Sequence, residues 1–418
     1  MLLRRAGIDE LRDLRRTPVD EATLEAAAAL VREVRRDGEA GLRRLAERYD
    51  GLEPGAALVL PRERLVAAAA ALPDGQRELL ERTAGRIADF ARAQRAALSA
   101  VQVPVPGGTA GHEIAPVERA GCYAPGGRFP LPSSVLMTAV TARAAGVGEV
   151  WVASPRPAPV TLAAAAIAGA DALLACGGAH AIAALAFGAG DVPACDVVVG
   201  PGNRWVTAAK QLVAGHVGID MLAGPSELVV LADATADPAV LAADLLAQAE
   251  HDPDAMPTLV TTDPTLPERV EAELERQLVD LPTAGVARRA LGNGLAVVVR
   301  DLDEGAAACD LLAPEHLQVL TTDPDDAARR CRHWGGLFLG PAAAEVLGDY
   351  GVGPNHTLPT GGAARHAGGL SVLHFLRVRT WLRTEPGPEL ARAAADAAAL
   401  ARLEGLEAHA RAAERRMG

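Results

Sequence analysis

Gln248 and His251 stand three residues apart at the end of a strongly helical run that Pro253 stops. That spacing puts both side chains on one helix face, where an amide oxygen and an imidazole can share a metal ion. The pair also reads as a solvated Gln beside a capping His, and Gln is an uncommon metal ligand. Glu315 and His316 offer a carboxylate and an imidazole just before a strand, a combination suited to proton transfer near neutral pH. Adjacent strand residues point to opposite faces. The two therefore share a site only where the backbone is irregular; two exposed polar residues are the other reading. Asp349 lies in the Gly-rich stretch 348–369, with His356 and His366. It offers an oxygen to a metal, or simply a turn. Glu404 and His409 are five apart on a last helical run. An ideal helix sets them about 140° apart, which points to a solvated face unless Gly405 bends the segment. Gly200-Pro201-Gly202-Asn203 follows a valine run and opens a helix. Glycines there let backbone approach a ligand, and the helix N-terminus favours an anion; a plain tight turn reads equally well. The G-x-G-x-x-G fingerprint is absent from the sequence.

The elements that must position these groups follow an alternating rhythm. The first hundred residues read as helical: 21–36 with Asp20 as N-cap, 62–72 opened by Pro61, and 74–95 capped by Asp74. Residues 101–123 break into short strand-like runs, with Gly107-Gly108 and Gly111 as turns. Strands are then predicted at 150–153, 173–176 and 197–200, with helices at 161–167, 179–187 and 203–213. The rhythm restarts after Gly224-Pro225. It gives strands at 228–231, 258–262, 296–299, 317–321 and 337–339, with helices between them including 238–250 and 266–278. Such βαβ alternation makes parallel sheets covered on both faces, so two α/β units in series are expected. A last amphipathic helical run, 388–416, has no place in either sheet and reads as a small arm.

Composition bounds the function. The chain has 418 residues with 50% hydrophobic and 22% charged side chains, a globular balance. A net charge of −12 lacks the basic surplus of a nucleic-acid groove, so no nucleic-acid partner is expected. Lys210 is the only lysine, so a Schiff-base lysine is excluded everywhere else. Five cysteines at wide spacings fit reduced thiols in the cytoplasm better than a disulfide framework. No run is apolar enough for a membrane span, and the first residues lack a signal-peptide pattern.

Many separated segments together resemble the L-histidinol dehydrogenase family. In order they are YAPGG at 123–127, PSSVLM at 132–137, GGAHAIAALAFG at 177–188, GPGN at 200–203, AGPSE at 223–227, QAEH at 248–251, PEHL at 314–317, GDY at 348–350, NHTLPT at 355–360, GLSV at 369–372 and LEAH at 406–409. The resemblance covers nearly the whole chain.

It implies an α/β fold of two Rossmann-like doubly wound units in series, with a helical N-terminal segment and a small C-terminal helical arm. The implied division is a tail at 1–15, a first discontinuous domain from 16–118 with 231–370, a second domain at 119–230, and the arm at 371–418. It implies NAD⁺-dependent oxidation of L-histidinol to L-histidine through bound L-histidinaldehyde. It also implies one zinc ion per subunit on Gln248, His251, Asp349 and His409, with Ser226, Gln248, His251, His316, Asp349, Glu404 and His409 contacting substrate. His316 is the implied general base, and Glu315 activates the water that attacks the aldehyde. Tyr123, His180 and Asn203 are the implied cofactor contacts, although the pattern has Gln where this chain has His180. A homodimer is implied, with Glu404 and His409 coming from the second copy. The readings set against this are a relative oxidising another alcohol such as a sulfopropanediol, a zinc hydrolase without NAD⁺, and a non-catalytic binding protein.

Overall fold

The computed structural model describes residues 2–14, 17, 19–126 and 129–417. Gly127 of the YAPGG segment, and residues 15 and 16 at the expected first domain boundary, lie outside the described residues.

The chain opens with β1 (Arg4–Ala6) and a 3-10 turn, Ile8–Asp13. Helix α1 (Glu21–Tyr49) starts where the Asp20 carboxylate accepts the Thr23 N–H at 2.8 Å, as its N-cap position requires. At Gly38 it breaks, as the sequence predicts, with a non-helical φ of +58° that suits glycine, and a second helical segment runs on to Tyr49. Next come β2 (Val59–Pro61), α2 (Arg62–Ala71) and α3 (Asp74–Ala96). Asp74 is the first helical residue and not the cap; Pro73 takes that place. Strands β3 (Val101–Val105), β4 (Gly108–Pro116) and β5 (Arg119–Tyr123) follow. Gly107 makes the expected turn between β3 and β4. Gly111 does not turn: it sits within β4, where a Cβ would collide with the Val101 carbonyl oxygen.

The first alternating stretch is α4 (Pro132–Ala145), β6 (Glu149–Ala153), α5 (Pro159–Ile167), β7 (Ala172–Leu174), α6 (Gly178–Phe187), β8 (Val197–Val199), α7 (Arg204–Val213) and β9 (Gly218–Ile219). The second is β10 (Glu227–Ala232), α8 (Pro238–His251), β11 (Met256–Thr261), α9 (Leu266–Leu278), α10 (Ala284–Leu291), β12 (Leu295–Val298), α11 (Leu302–Leu312), β13 (His316–Leu320), α12 (Pro324–Arg330), β14 (Gly336–Leu339) and α13 (Glu345–Asp349). The chain ends with β15 (Leu376–Thr384), α14 (Pro388–Leu403) and α15 (Glu407–Glu414).

These elements make two six-stranded sheets and one of three strands. In the sheet of the first stretch the order is β2-β7-β6-β5-β8-β9, parallel apart from β2. In that of the second stretch it is β1-β12-β11-β10-β13-β14, parallel throughout. Counted from β5 and from β10, each five-strand run has the order 3-2-1-4-5 of a Rossmann-like doubly wound sheet. The expected fold class is therefore present twice. Short strands β1 and β2, which sequence reasoning missed, extend one edge of each.

Both faces of each sheet are apolar. Val150 and Val152 of β6 face a core shared with α2, α3, α4 and α5, while Trp151 and Ala153 face one shared with α1, α6 and α7. The period-two alternation thus feeds two cores, as a buried parallel sheet requires. Helices of residues 21–96, grouped on sequence with 231–370, pack on the sheet of the first stretch instead. Leu65 and Ile87 lie in one of its cores, and Val31 and Val34 in the other. The arm is only partly helical: β15 pairs antiparallel with β4 over nine residues to make the third sheet. Gly405, at φ +77°, separates α14 from α15, the bend considered on sequence. Among the described residues no helix is long and apolar enough to cross a membrane.

Candidate active site

The amino edge of the second sheet gathers the acid–base residues. His316 is the first residue of β13, and Glu315 sits in the bend before it, after Ala313 at φ +45°. Here is the irregular backbone that lets neighbours share a site. Glu227, at the start of β10, bridges them with its backbone: its N–H donates to Glu315 Oε2 at 2.9 Å, and its carbonyl oxygen accepts from His316 Nδ1 at 3.0 Å. A carbonyl only accepts, so Nδ1 carries the proton and Nε2 keeps its lone pair. Nε2 is buried with no hydrogen-bond partner and lies 3.9 Å from Asp349 Oδ1. Burial lowers the imidazole to about 4, so it is neutral at ordinary pH. Burial raises the Glu315 carboxyl well above the usual carboxylate range. A base with a free Nε2 beside a buried acid of high proton affinity is a proton-transfer pair.

Parallel sheets ordinarily bind ligands at their carboxyl edge. The second sheet instead uses its amino edge, because α8 returns to it. That helix ends in Gln248 and His251. His251 Nε2 lies 3.4 Å from Asp349 Oδ2. Asp349 closes the short helix α13, and its carbonyl oxygen accepts from His356 Nδ1 at 2.9 Å. Burial pushes Asp349 up, but hydrogen bonding by His251 and the nearby imidazoles of His316 and His356 bring it below its ordinary value. The hydrogen bond with Asp349 in turn raises His251.

The donors fit a metal ion. His251, Glu345 and Asp349 present ligand atoms within 4.8 Å of one another. Gln248 is fully buried, yet neither amide atom has a hydrogen-bond partner, and Glu345 Oε2 is likewise orphaned. Buried polar atoms without partners cost free energy; a cation would satisfy the oxygens among them, Gln248 Oε1 and Glu345 Oε2. The mixed N/O set suits a zinc-like divalent ion. Glu345 was missed on sequence. It lies four residues before Asp349, a helical spacing that was there to be read. Its other oxygen is 3.6 Å from His316 Nδ1, and burial raises its carboxyl well above the usual range. Ser226 is half-buried beside Glu227. Glu404 and His409 are exposed on the arm, and within one chain the described contacts do not bring them to Gln248, His251 or Asp349.

The expected cofactor residues lie at the carboxyl edge of the other sheet, where its strand order reverses between β5 and β8. Tyr123 ends β5, and its hydroxyl accepts the Gly178 N–H at 3.2 Å. Asn203 caps α7, accepting from the Trp205 and Val206 N–H groups. His180 is buried, and its Nε2 is taken by Asp50 at 2.8 Å. Asp50 also accepts the Gly177 N–H at 2.9 Å, so this pair braces the turn before α6. Sequence reasoning gave Asp50 no role; its separation from His180 hides the pairing. Gly200 is at φ +120°, and a Cβ there would collide with the Tyr123 carbonyl oxygen. A backbone cradle opening onto the N-terminal ends of α6 and α7 fits a nucleotide cofactor.

A doubly wound α/β fold with a glycine-lined cradle on one sheet and an acid–base pair beside metal-type donors on the other is the architecture of a cofactor-using enzyme. The comparisons specify it. The histidinol dehydrogenase family model matches residues 14–417. Histidinol dehydrogenase of Thermus thermophilus is 48% identical over 94% of each chain. That of Parasynechococcus marenigrum is 45% identical over 93% of this chain and 90% of its own. A crystal structure of histidinol dehydrogenase from Elizabethkingia anophelis superposes with a TM-score of 0.92 at 30% identity, covering 100% of this chain and 98% of the other. The chain belongs to the histidinol dehydrogenase family.

Proposed function

We propose that the protein oxidises L-histidinol to L-histidine in two NAD⁺-dependent steps through a bound histidinaldehyde, closing histidine biosynthesis. The observation that carries this is His316, with its unprotonated buried Nε2, placed between Glu315 and Asp349, the latter paired with His251. His316 Nε2 takes the hydroxyl proton as the alcohol becomes the aldehyde. Glu315 then takes a proton from the water that adds to the aldehyde, its raised affinity making its carboxylate a strong base. NAD⁺, when bound, accepts one hydride in each oxidation. A zinc ion on Gln248, His251 and Asp349 would supply a Lewis-acid anchor for the substrate.

Gln248, His251 and Asp349 hold that metal ion, joined by His409 of a second copy. Ser226 and His316, with Glu404 of the second copy, complete the grip on substrate. Tyr123 and Asn203 meet the cofactor, and His180 supports them through the turn it braces. A homodimer is supported by the arm, which leaves Leu400, Leu403 and Leu406 exposed beside Glu404 and His409. We take the two six-stranded sheets as two domains and residues from β15 onward as the arm. Five free, buried cysteines support a cytoplasmic setting. The test is the NADH yield from limiting L-histidinol with excess NAD⁺. Two NADH per histidinol, with histidine as product, is expected; no NADH from a metal-loaded enzyme overturns the assignment.

A further inference from the structure

Tyr123, Gly200 and Asn203 meet at the cofactor cradle, and beneath them lies a buried ion pair to which no role has been given. Lys210, the only lysine in the chain, sits on α7. Its Nζ donates to the Gly200 carbonyl oxygen at 3.0 Å and pairs with the Asp220 carboxylate. Asp220 Oδ2 accepts the Gly200 N–H at 2.7 Å, and Oδ1 accepts the Met221 N–H at 2.7 Å. The two side chains are 2% and 0% exposed. Both backbone polar groups of one glycine are thus held by opposite charges, at a residue packed so tightly against Tyr123 that a Cβ would collide with its carbonyl oxygen. A buried pair of this kind is a weak source of stability, since apolar replacements of both partners often do as well. Its value here is geometric.

We propose that Lys210 and Asp220 are positioning residues for NAD⁺. They lock the turn 200–203 against Tyr123, so the cofactor meets a preset surface. The proposal rests on the cofactor reading of Tyr123 and Asn203.

The test compares Lys210→Met/Asp220→Asn, which leaves no charge buried alone, with Asn203→Ala. Loosening the turn raises KM for NAD⁺ roughly ten- to a hundredfold while KM for L-histidinol holds. If KM for NAD⁺ stays put in the folded double variant, or both KM values rise together, the positioning role is wrong. Should Asn203→Ala weaken NAD⁺ binding when the double variant does not, the positioning role alone falls. Should Asn203→Ala also leave NAD⁺ binding unchanged, the cofactor reading falls and takes this role with it. A second measurement needs no variant. Lys210 carries the only side-chain amine, so peptide mass spectrometry after acylation of the native enzyme reads it apart from the terminal α-amine. NAD⁺ at ten times its Kd slows that acylation about tenfold, and L-histidinol does not. Acylation indifferent to NAD⁺ overturns the proposal, whether or not the double variant folds.

Discussion

Gln248→Met separates what the metal site needs from what the fold needs. Gln248 is fully buried, and both its amide atoms lack hydrogen-bond partners in the protein. Burying such an amide without partners costs about 1–3 kcal/mol on mutational scales. Methionine has nearly the same length and volume and no such polar atoms, so repacking costs little. The metal-free variant is therefore more stable than metal-free wild type by about 1–2 kcal/mol. At roughly 2–4 °C per kcal/mol for a unit of this size, Tm rises by several degrees. The metal-loaded proteins reverse the order, because the variant has lost a ligand and binds less tightly. The assay is thermal unfolding of chelator-treated and metal-reconstituted protein, with metal content by elemental analysis. A metal-free variant less stable than wild type, or one that keeps its full metal content, refutes the reasoning.

Three further outcomes are expected. Glu315→Gln slows aldehyde oxidation by about 10²- to 10⁴-fold while alcohol oxidation continues; NADH yield falls from two toward one per histidinol, and an unchanged yield removes Glu315 from the second step. His316 must gain a proton on unfolding wherever pH lies between its folded value of about 4 and the ordinary 6.5. Stability contributed by the neutral ring is thus full above pH 6.5 and is lost as pH falls, to a total on the order of 3 kcal/mol. His316→Asn flattens that part of the urea-midpoint profile of the metal-free protein, and an unaltered slope disproves the buried neutral imidazole. Truncation after Pro386 removes Glu404 and His409 and abolishes turnover with the two sheets still folded; a fully active truncated enzyme would falsify the role of the arm.

Much of the scaffold was legible because its signals are local and repeated. β-rich runs alternate with Ala-rich helical ones, so most strands fell within a residue or two of their places, and 266–278 matched α9 at both ends. What was lost is what locality cannot show. Strands β1 and β2 have three residues each, and only a distant partner makes them strands. β15 carries charge on a half-exposed edge and gains its register only by pairing with β4. Individual site residues were recognisable as motifs, but their convergence was not. Spacing could not show that α8 delivers Gln248 and His251 to the amino edge, facing Asp349 from a separate helix. Glu345 announces itself only once Asp349 is known to matter. The likeness to a family supplied roles that spacing left open.

The pairing of Arg4–Ala6 with Leu295–Val297 has a consequence for biogenesis. The six strands of the sheet that includes Tyr123 lie within residues 59–219, so they can pair while the ribosome is still making the other half. The opposite sheet cannot. Its edge strand β1 precedes the other five in the chain, waits unpaired until β12 has been synthesised, and must find it across all the residues between them. Loop closure over that span adds little free energy but much time. The half that carries Gln248, His251 and Asp349 is therefore the late-assembling half, and β1 stays open to proteases and chaperones until β12 arrives.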